Sequence, residues 1–194
     1  MQSNNYPNQY QGQQQYHKEE PKSYGEKIFI GYRGFSAQSL LTVTSFIEYS
    51  SFATDLIFFK MCLGKKQQNG GFAYSTNNKN ECIKMSLNAI SIRALAYAMK
   101  EIVKVKSNEL GYEEITKSDC MKKITLGYAM RDNSGKKEDV FYINTINIDS
   151  GLKVNVSMNK WEMVSFADSL MILAEETEKM LYKFERSMKK QQTA

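Results

Sequence analysis

The chain has 194 residues, 42% apolar and 24% charged. That is enough apolar surface for one medium domain or two small units with a shared core, and it excludes a wholly disordered or fibrous chain. The net charge is +5. Residues 1–26 carry Lys18 and Lys22 against Glu19, Glu20 and Glu26, so the remaining 168 residues hold +6, a modestly basic balance that suits polyanions. No apolar run approaches a membrane span, and the glutamine- and asparagine-rich start has no basic-then-apolar signal pattern, so a non-secreted protein with no membrane partner is expected. Cys62, Cys82 and Cys120 are odd in number and far apart in sequence. Their spacing fits neither a disulfide framework nor a zinc site, which predicts reduced thiols in a cytosol-like compartment (cytoplasm, nucleoid or organelle matrix).

Residues 1–26 are rich in Gln, Asn and Tyr and nearly free of aliphatic side chains. Such a segment buries too little surface to offset its ordering entropy, so a disordered tail is expected. Short β-rich runs follow: KIFIGYR (27–33), LTVTSFIEY (41–49) and TDLIFFKMC (54–62), then the turn-rich GKKQQNGG (64–71). FAYST (72–76) and CIKMSL (82–87) complete a first sheet. In the latter, Ile83, Met85 and Leu87 point to one face while Lys84 and Ser86 point to the other. Ser91 is placed to cap a helix carrying Ile92, Leu95, Ala96, Met99, Ile102 and Val103 at helical spacing.

The second half runs in the same order. MKKITLGYAM (121–130) reads as a strand, RDNSGKKED (131–139) as a hairpin loop and VFYINTINI (140–148) as the returning strand. After the turn Asp149-Ser150-Gly151, LKVNVS (152–157) alternates Leu152, Val154 and Val156 with Lys153 and Asn155. Ser157 or Asn159 caps a long helix from about 160 to 188, with Trp161, Val164, Ala167, Leu170, Met171, Ala174, Leu181 and Phe184 as its apolar stripe. This helix is several turns longer than the first, and a second copy of the chain is a candidate cover for the excess.

Residues 71–103 align without a gap over 140–172, an offset of 69 that sets Phe72 over Phe141, Asn78 over Asn147 and Lys84 over Lys153. Further upstream the same offset sets Phe59 over Tyr128 and Met61 over Met130. A repeat at fixed spacing marks one supersecondary unit used twice. The expected fold is therefore α+β: two fused antiparallel-sheet-plus-helix repeats, residues 27–106 and 107–190, forming an intrachain pseudo-dimer.

The only histidine is His17, in the biased tail, which removes His-based triads and His metal sites. There is no Walker A sequence and no strand–GxGxxG–helix unit, and Glu113-Glu114 and Glu175-Glu176 are adjacent pairs whose carboxylates diverge. No catalysis, metal or cofactor is expected. What the pattern does offer is a sheet face mixing cations with aromatics. Ile57, Phe59 and Met61 point inward, as Leu126, Tyr128 and Met130 would in the other half. Phe58 and Lys60 then share the opposite face with Lys84, Ser86, Lys153, Asn155, Tyr142 and Asn144. Aromatic rings stack on unpaired bases while cations follow phosphates, which suits single strands better than duplex. Arg33, Lys65, Lys66, Lys122 and Lys123 line the loops and edges of this candidate surface, as do Lys136 and Lys137. The same lysines also fit ordinary solvated strand positions, and the alternative reading is a protein-interaction or structural module that docks a partner on the sheet face or long helix.

LKVNVSMNKW (152–161) joins an alternating strand through a Ser-containing cap to a Trp at the start of a helix. It resembles the C-terminal single-stranded-DNA-binding domain of the coactivator positive cofactor four. That domain belongs to a wider group with the plant whirly proteins and the purine-rich-element-binding repeat proteins, which use a four-strand-plus-helix unit in pairs. The resemblance implies a pseudo-dimer that binds single-stranded DNA, or RNA, on curved sheets with little sequence preference. In the first half Ile92 stands in the Trp place, and residues 27–49 add strand material ahead of the unit.

Overall fold

The computed structural model describes residues 25–33, 38–48, 54–116 and 121–192; residues 1–24 of the biased segment and Cys120 lie outside them. Gly25 and Glu26 already belong to the first strand. The fold is α+β, with two antiparallel sheets and two long helices. In the first sheet β1 (Gly25–Arg33), β2 (Ser39–Glu48) and β3 (Thr54–Lys66) form a meander. The free edge of β3 is then shared by β4 (Phe72–Tyr74), on Gly64–Lys66, and β5 (Cys82–Leu87), on Ile57–Cys62. Helix α1 (Ala89–Val105) follows. After a single 3-10 turn at Asn108–Leu110, β6 (Glu113–Thr116), β7 (Lys122–Asn133), β8 (Lys136–Asn147) and β9 (Lys153–Met158) form the second sheet in chain order, and α2 (Lys160–Gln192) closes the chain.

Strand alternation sets both inner faces. Ile57, Phe59 and Met61 are fully buried, as are Ile83 and Met85 on the neighbouring strand, while Lys84 is exposed. Each fully buried side chain of this size contributes about 1.5–3 kcal/mol relative to leaving it in water. Both halves feed one cluster: Phe141, Ile143, Val154 and Val156 of the second sheet join the first sheet and both helices in a common core. The helices pack on each other; α1 also reaches β7 and β3, and α2 reaches β1, β2 and β3 as well as β8 and β9. Polar contacts cross the same boundary. Thr177 Oγ1, whose proton goes to the Leu173 carbonyl at 2.7 Å, accepts from Ser45 Oγ at 2.7 Å in the buried interior, Ser39 Oγ donates to the Asn155 carbonyl at 2.6 Å, and Arg93 makes a two-pronged contact with Glu178 at 2.5 Å.

Both helices start on an asparagine. Asn88 Oδ1 accepts from Ser91 N at 2.8 Å, so Asn88, and not Ser91, caps α1. Asn159 Oδ1 accepts from the Trp161 and Glu162 amides, and Glu162 accepts from Asn159 N, a reciprocal capping box. The six apolar positions expected on α1 are all buried. On α2 the buried stripe is Met163, Phe166, Ala167, Leu170, Leu173 and Ala174, whereas Trp161 is 72% exposed. Met163 in the same first turn is fully buried, whereas Trp161 lies two and a half turns from Leu170 and so on the opposite side of the helix, which puts the indole expected inside on the outside. The extra length of α2 crosses the first sheet of the same chain, where Thr177 meets Ser45.

The 69-residue offset does not carry through the strands. The caps Asn88 and Asn159 are 71 residues apart, and so are the starts of β5 at Cys82 and β9 at Lys153. Lys84 therefore occupies the place of Asn155, and Lys153 is two residues off. A two-residue slip preserves the face, so both lysines still point outward. Upstream the departure is larger. β3 lies beside β5 as β8 lies beside β9, which sets Phe59 opposite Met85 and Ile143 opposite Val156. Phe59 is thus not the counterpart of Tyr128. Met61 is buried while Met130 is 58% exposed, because β7 runs out past the core into the β7–β8 hairpin. That hairpin is tighter than expected: β7 and β8 run to Asn133 and from Lys136, leaving Ser134 and Gly135 with positive φ at the turn. No described helix is long and apolar enough to cross a membrane.

Candidate nucleic-acid interface

The ladder between β3 and β5 positions the site. Leu63 N donates to the Glu81 carbonyl at 2.7 Å, which makes Leu63 and Glu81 a hydrogen-bonded pair. Pair types alternate along an antiparallel ladder, so Lys60–Lys84 and Cys62–Cys82, directly opposed in the register, are non-hydrogen-bonded pairs, where side chains approach most closely. Lys60 and Lys84 thus stand across from each other on the outer face. Like charges in that position destabilise a sheet by roughly 0.2–1 kcal/mol unless an anion lies between them. Phe58 shares the face diagonally, and Lys84 Nζ lies 4.1 Å from its ring centroid. That cation–π contact orients one ammonium over an aromatic face that is still partly open.

Lys60 and Lys84 line a cleft of about 350 Å³, with Phe58 beside it under Lys84. The first sheet contributes Lys60, Cys82, Lys84 and Ser86, the β4–β5 loop contributes Thr76 to Lys79, and the second half contributes Lys122 and Asn147. Four lysines converge there, and among the described residues no Asp or Glu lines it. Lys122 arrives from an unexpected side. It lies on the core-facing side of β7 with Ile124 and is only 7% exposed, so it borders the cleft from the seam between the halves. Ammonium groups at this density favour anions, and an adjacent aromatic ring favours a planar π-system.

The other residues expected on the surface lie elsewhere. Arg33 ends β1 opposite Leu40, and its side chain lies outside the described part of the structure. Lys65 and Lys66 are in β3 and not in a loop; Lys65 is held by Glu81 at 2.5 Å, and Lys66 sits opposite Phe72. Lys123 pairs with Glu113 on the outer face of the second sheet. Tyr142, on that face, accepts from Arg131 Nη2 at 3.4 Å, and Lys153 borders a separate groove with Asn144 and Asn155. Among the described side chains none of these lines the four-lysine cleft. The structure therefore brings Lys60, Lys84 and Lys122 into it with Phe58 beside Lys84, and leaves Lys65, Lys66, Lys123, Tyr142 and Lys153 on separate surfaces.

Two features escaped sequence reasoning. Lys79 lies in the loop between β4 and β5, where no periodicity marks a direction. Trp161, with Lys160 Nζ 5.0 Å from its ring centroid, borders a third groove with Arg131, Lys136, Glu138 and Asp139. That groove mixes both signs. Asp139 is occupied by Lys106 at 2.5 Å and by the Tyr128 hydroxyl at 2.9 Å, contacts that hold its carboxyl below the ordinary value. The four-lysine cleft, by contrast, is lined by charged side chains of one sign among the described residues. No family model, curated protein or solved structure matches the chain.

Proposed function

We propose that this is a non-catalytic single-stranded nucleic-acid-binding protein, built as a pseudo-dimer of two fused strand–helix units. In this reading the repeat is the four-strand-plus-helix unit, with β3, β5 and α1 taking the places of β8, β9 and α2. The observation that carries the proposal is the Lys60–Lys84 pair, opposed across the strands beside Phe58 in a cleft that no Asp or Glu among the described residues lines. A fold that sets two ammonium groups against each other gains when a phosphate lies between them, and the neighbouring ring offers a base its π-face. Lys79 extends the phosphate track, and contacts to phosphates and to a ring face carry no base identity, so sequence preference is small. The resemblance of LKVNVSMNKW to single-stranded-DNA-binding domains favours DNA over RNA and a role in replication, recombination or transcription.

Competition against a fluorescent oligo-dT tests this. Unlabelled single-stranded DNA should displace the probe best, RNA less well and duplex least. Duplex competing as well as single strands would contradict base stacking. A probe that never binds would leave the interaction-module reading in its place.

A further inference from the structure

Cys62 and Cys82 are twenty residues apart in sequence, yet strand pairing sets them directly opposite each other on β3 and β5. They occupy a non-hydrogen-bonded pair, where opposing Cα atoms are about 4.5 Å apart, inside the 4.4–6.8 Å range of disulfides. Both are free thiols, and Cys62 Sγ donates to Cys82 Sγ at 2.7 Å. Their surroundings differ. Cys62 is 1% exposed, whereas Cys82 is partly open and lines the four-lysine cleft.

From this juxtaposition we infer that Cys62 and Cys82 form a reversible dithiol–disulfide site, in which Cys82 exchanges with a low-molecular-weight disulfide and Cys62 resolves the product. The inference stands independently of nucleic-acid binding. The Cys82 thiolate attacks one sulfur of the small disulfide, forming a mixed disulfide and releasing one thiolate. That thiolate takes the Cys62 proton. The Cys62 thiolate then attacks Cys82 Sγ, forming the cross-strand bond and releasing the second small thiol. Two protein thiols are oxidised by two electrons, and one small disulfide is reduced to two thiols. The assignment of roles follows from access, since only Cys82 can be reached from solvent through the cleft. It also follows from charge: the hydrogen bond from Cys62, with Lys60 and Lys84 nearby, holds the Cys82 thiol below its ordinary value, while the same bond and burial push Cys62 up. Thiolate fraction and access together govern exchange rate.

The test uses the full chain in glutathione buffers of increasing oxidised fraction, quenched with acid and read by intact mass and tryptic mapping. The expected product has lost two hydrogens, retains no glutathione, and links the peptides 61–65 and 80–84. In a Cys120→Ser background, Cys62→Ser should trap one glutathione on Cys82, whereas Cys82→Ser should leave Cys62 unmodified. A persistent glutathione adduct on the unsubstituted pair, a disulfide through Cys120 instead, or no linked peptide at any ratio would overturn the inference. Because the peptide linkage is read on the unsubstituted chain, a variant that fails to fold does not blunt the test.

Discussion

Replacing Lys60 and Lys84 together with glutamine should weaken oligonucleotide binding while leaving the fold as stable as before, or more so. The two effects have opposite signs because one pair of charges causes both. If Lys60, Lys79 and Lys84 each neutralise one phosphate, binding to a single strand falls with salt at a log–log slope of roughly −0.7 per contact, or about −2.1 in total. Between 50 and 200 mM salt that slope corresponds to a loss of about 20-fold. With two contacts gone the slope becomes about −0.7 and the same change in salt costs only about 3-fold. Meanwhile, removing two like charges directly opposed across β3 and β5 relieves roughly 0.2–1 kcal/mol of repulsion. Fluorescence anisotropy with labelled oligo-dT at several salt concentrations gives the slope, and urea unfolding gives the stability. An unchanged salt slope in the double variant would refute the placement of phosphates between these lysines. A large loss of stability would show that the pair serves the fold and not a ligand.

Three further outcomes follow from the same geometry. Phe58→Ala should cost about 1–3 kcal/mol in oligonucleotide affinity by removing a stacking face, and Phe58→Trp should restore it; equal affinity in Phe58→Ala and wild type, by anisotropy, would remove the ring from the site. Thr177→Val leaves the buried Ser45 hydroxyl without its acceptor and should destabilise by about 1–3 kcal/mol in urea, whereas adding Ser45→Ala should recover much of the loss. Asp139 is held below its ordinary value of 3.8 by Lys106 first and then by the Tyr128 hydroxyl, so its contribution is present above that value and fades as pH falls through the folded-state value. Acid unfolding of Asp139→Asn should therefore be less pH-dependent below about pH 4 than that of wild type, and identical profiles would show that this contact does not support the α1 terminus.

Much of the fold was legible because alternation and helical period report burial directly. CIKMSL places Ile83, Met85 and Leu87 inside by period two alone, and Ile92 to Val103 do the same for α1 at helical spacing. The register of the internal echo was less secure, since a slip of two residues leaves every side chain on its own face and alternation cannot detect it. The short strand β6 escaped notice because EEIT is acidic, brief and at an edge, with little apolar signal. Trp161 was misplaced for another reason: at 3.6 residues per turn it lies opposite Met163, Phe166 and Leu170, so its apolar character and not its spacing set it in the stripe. The cleft itself was half visible. Phe58, Lys60 and Lys84 follow from strand parity, but the approach of Lys122 along the seam and of Lys79 from a loop depends on how the halves meet. The Cys62–Cys82 contact was hidden in the same way, because only the β3–β5 register joins residues so distant in sequence.

Lysine footprinting of the full chain tests the central claim most directly. Brief acetylation with and without saturating oligo-dT, read by mass spectrometry, reports which ammonium groups a bound strand covers. Protection should fall on Lys60, Lys79 and Lys84, while Lys136 and Lys137 in the β7–β8 hairpin and Lys153 on the second sheet react as before. Unchanged acetylation at Lys60 and Lys84, with protection at the hairpin or at Lys153, would contradict it.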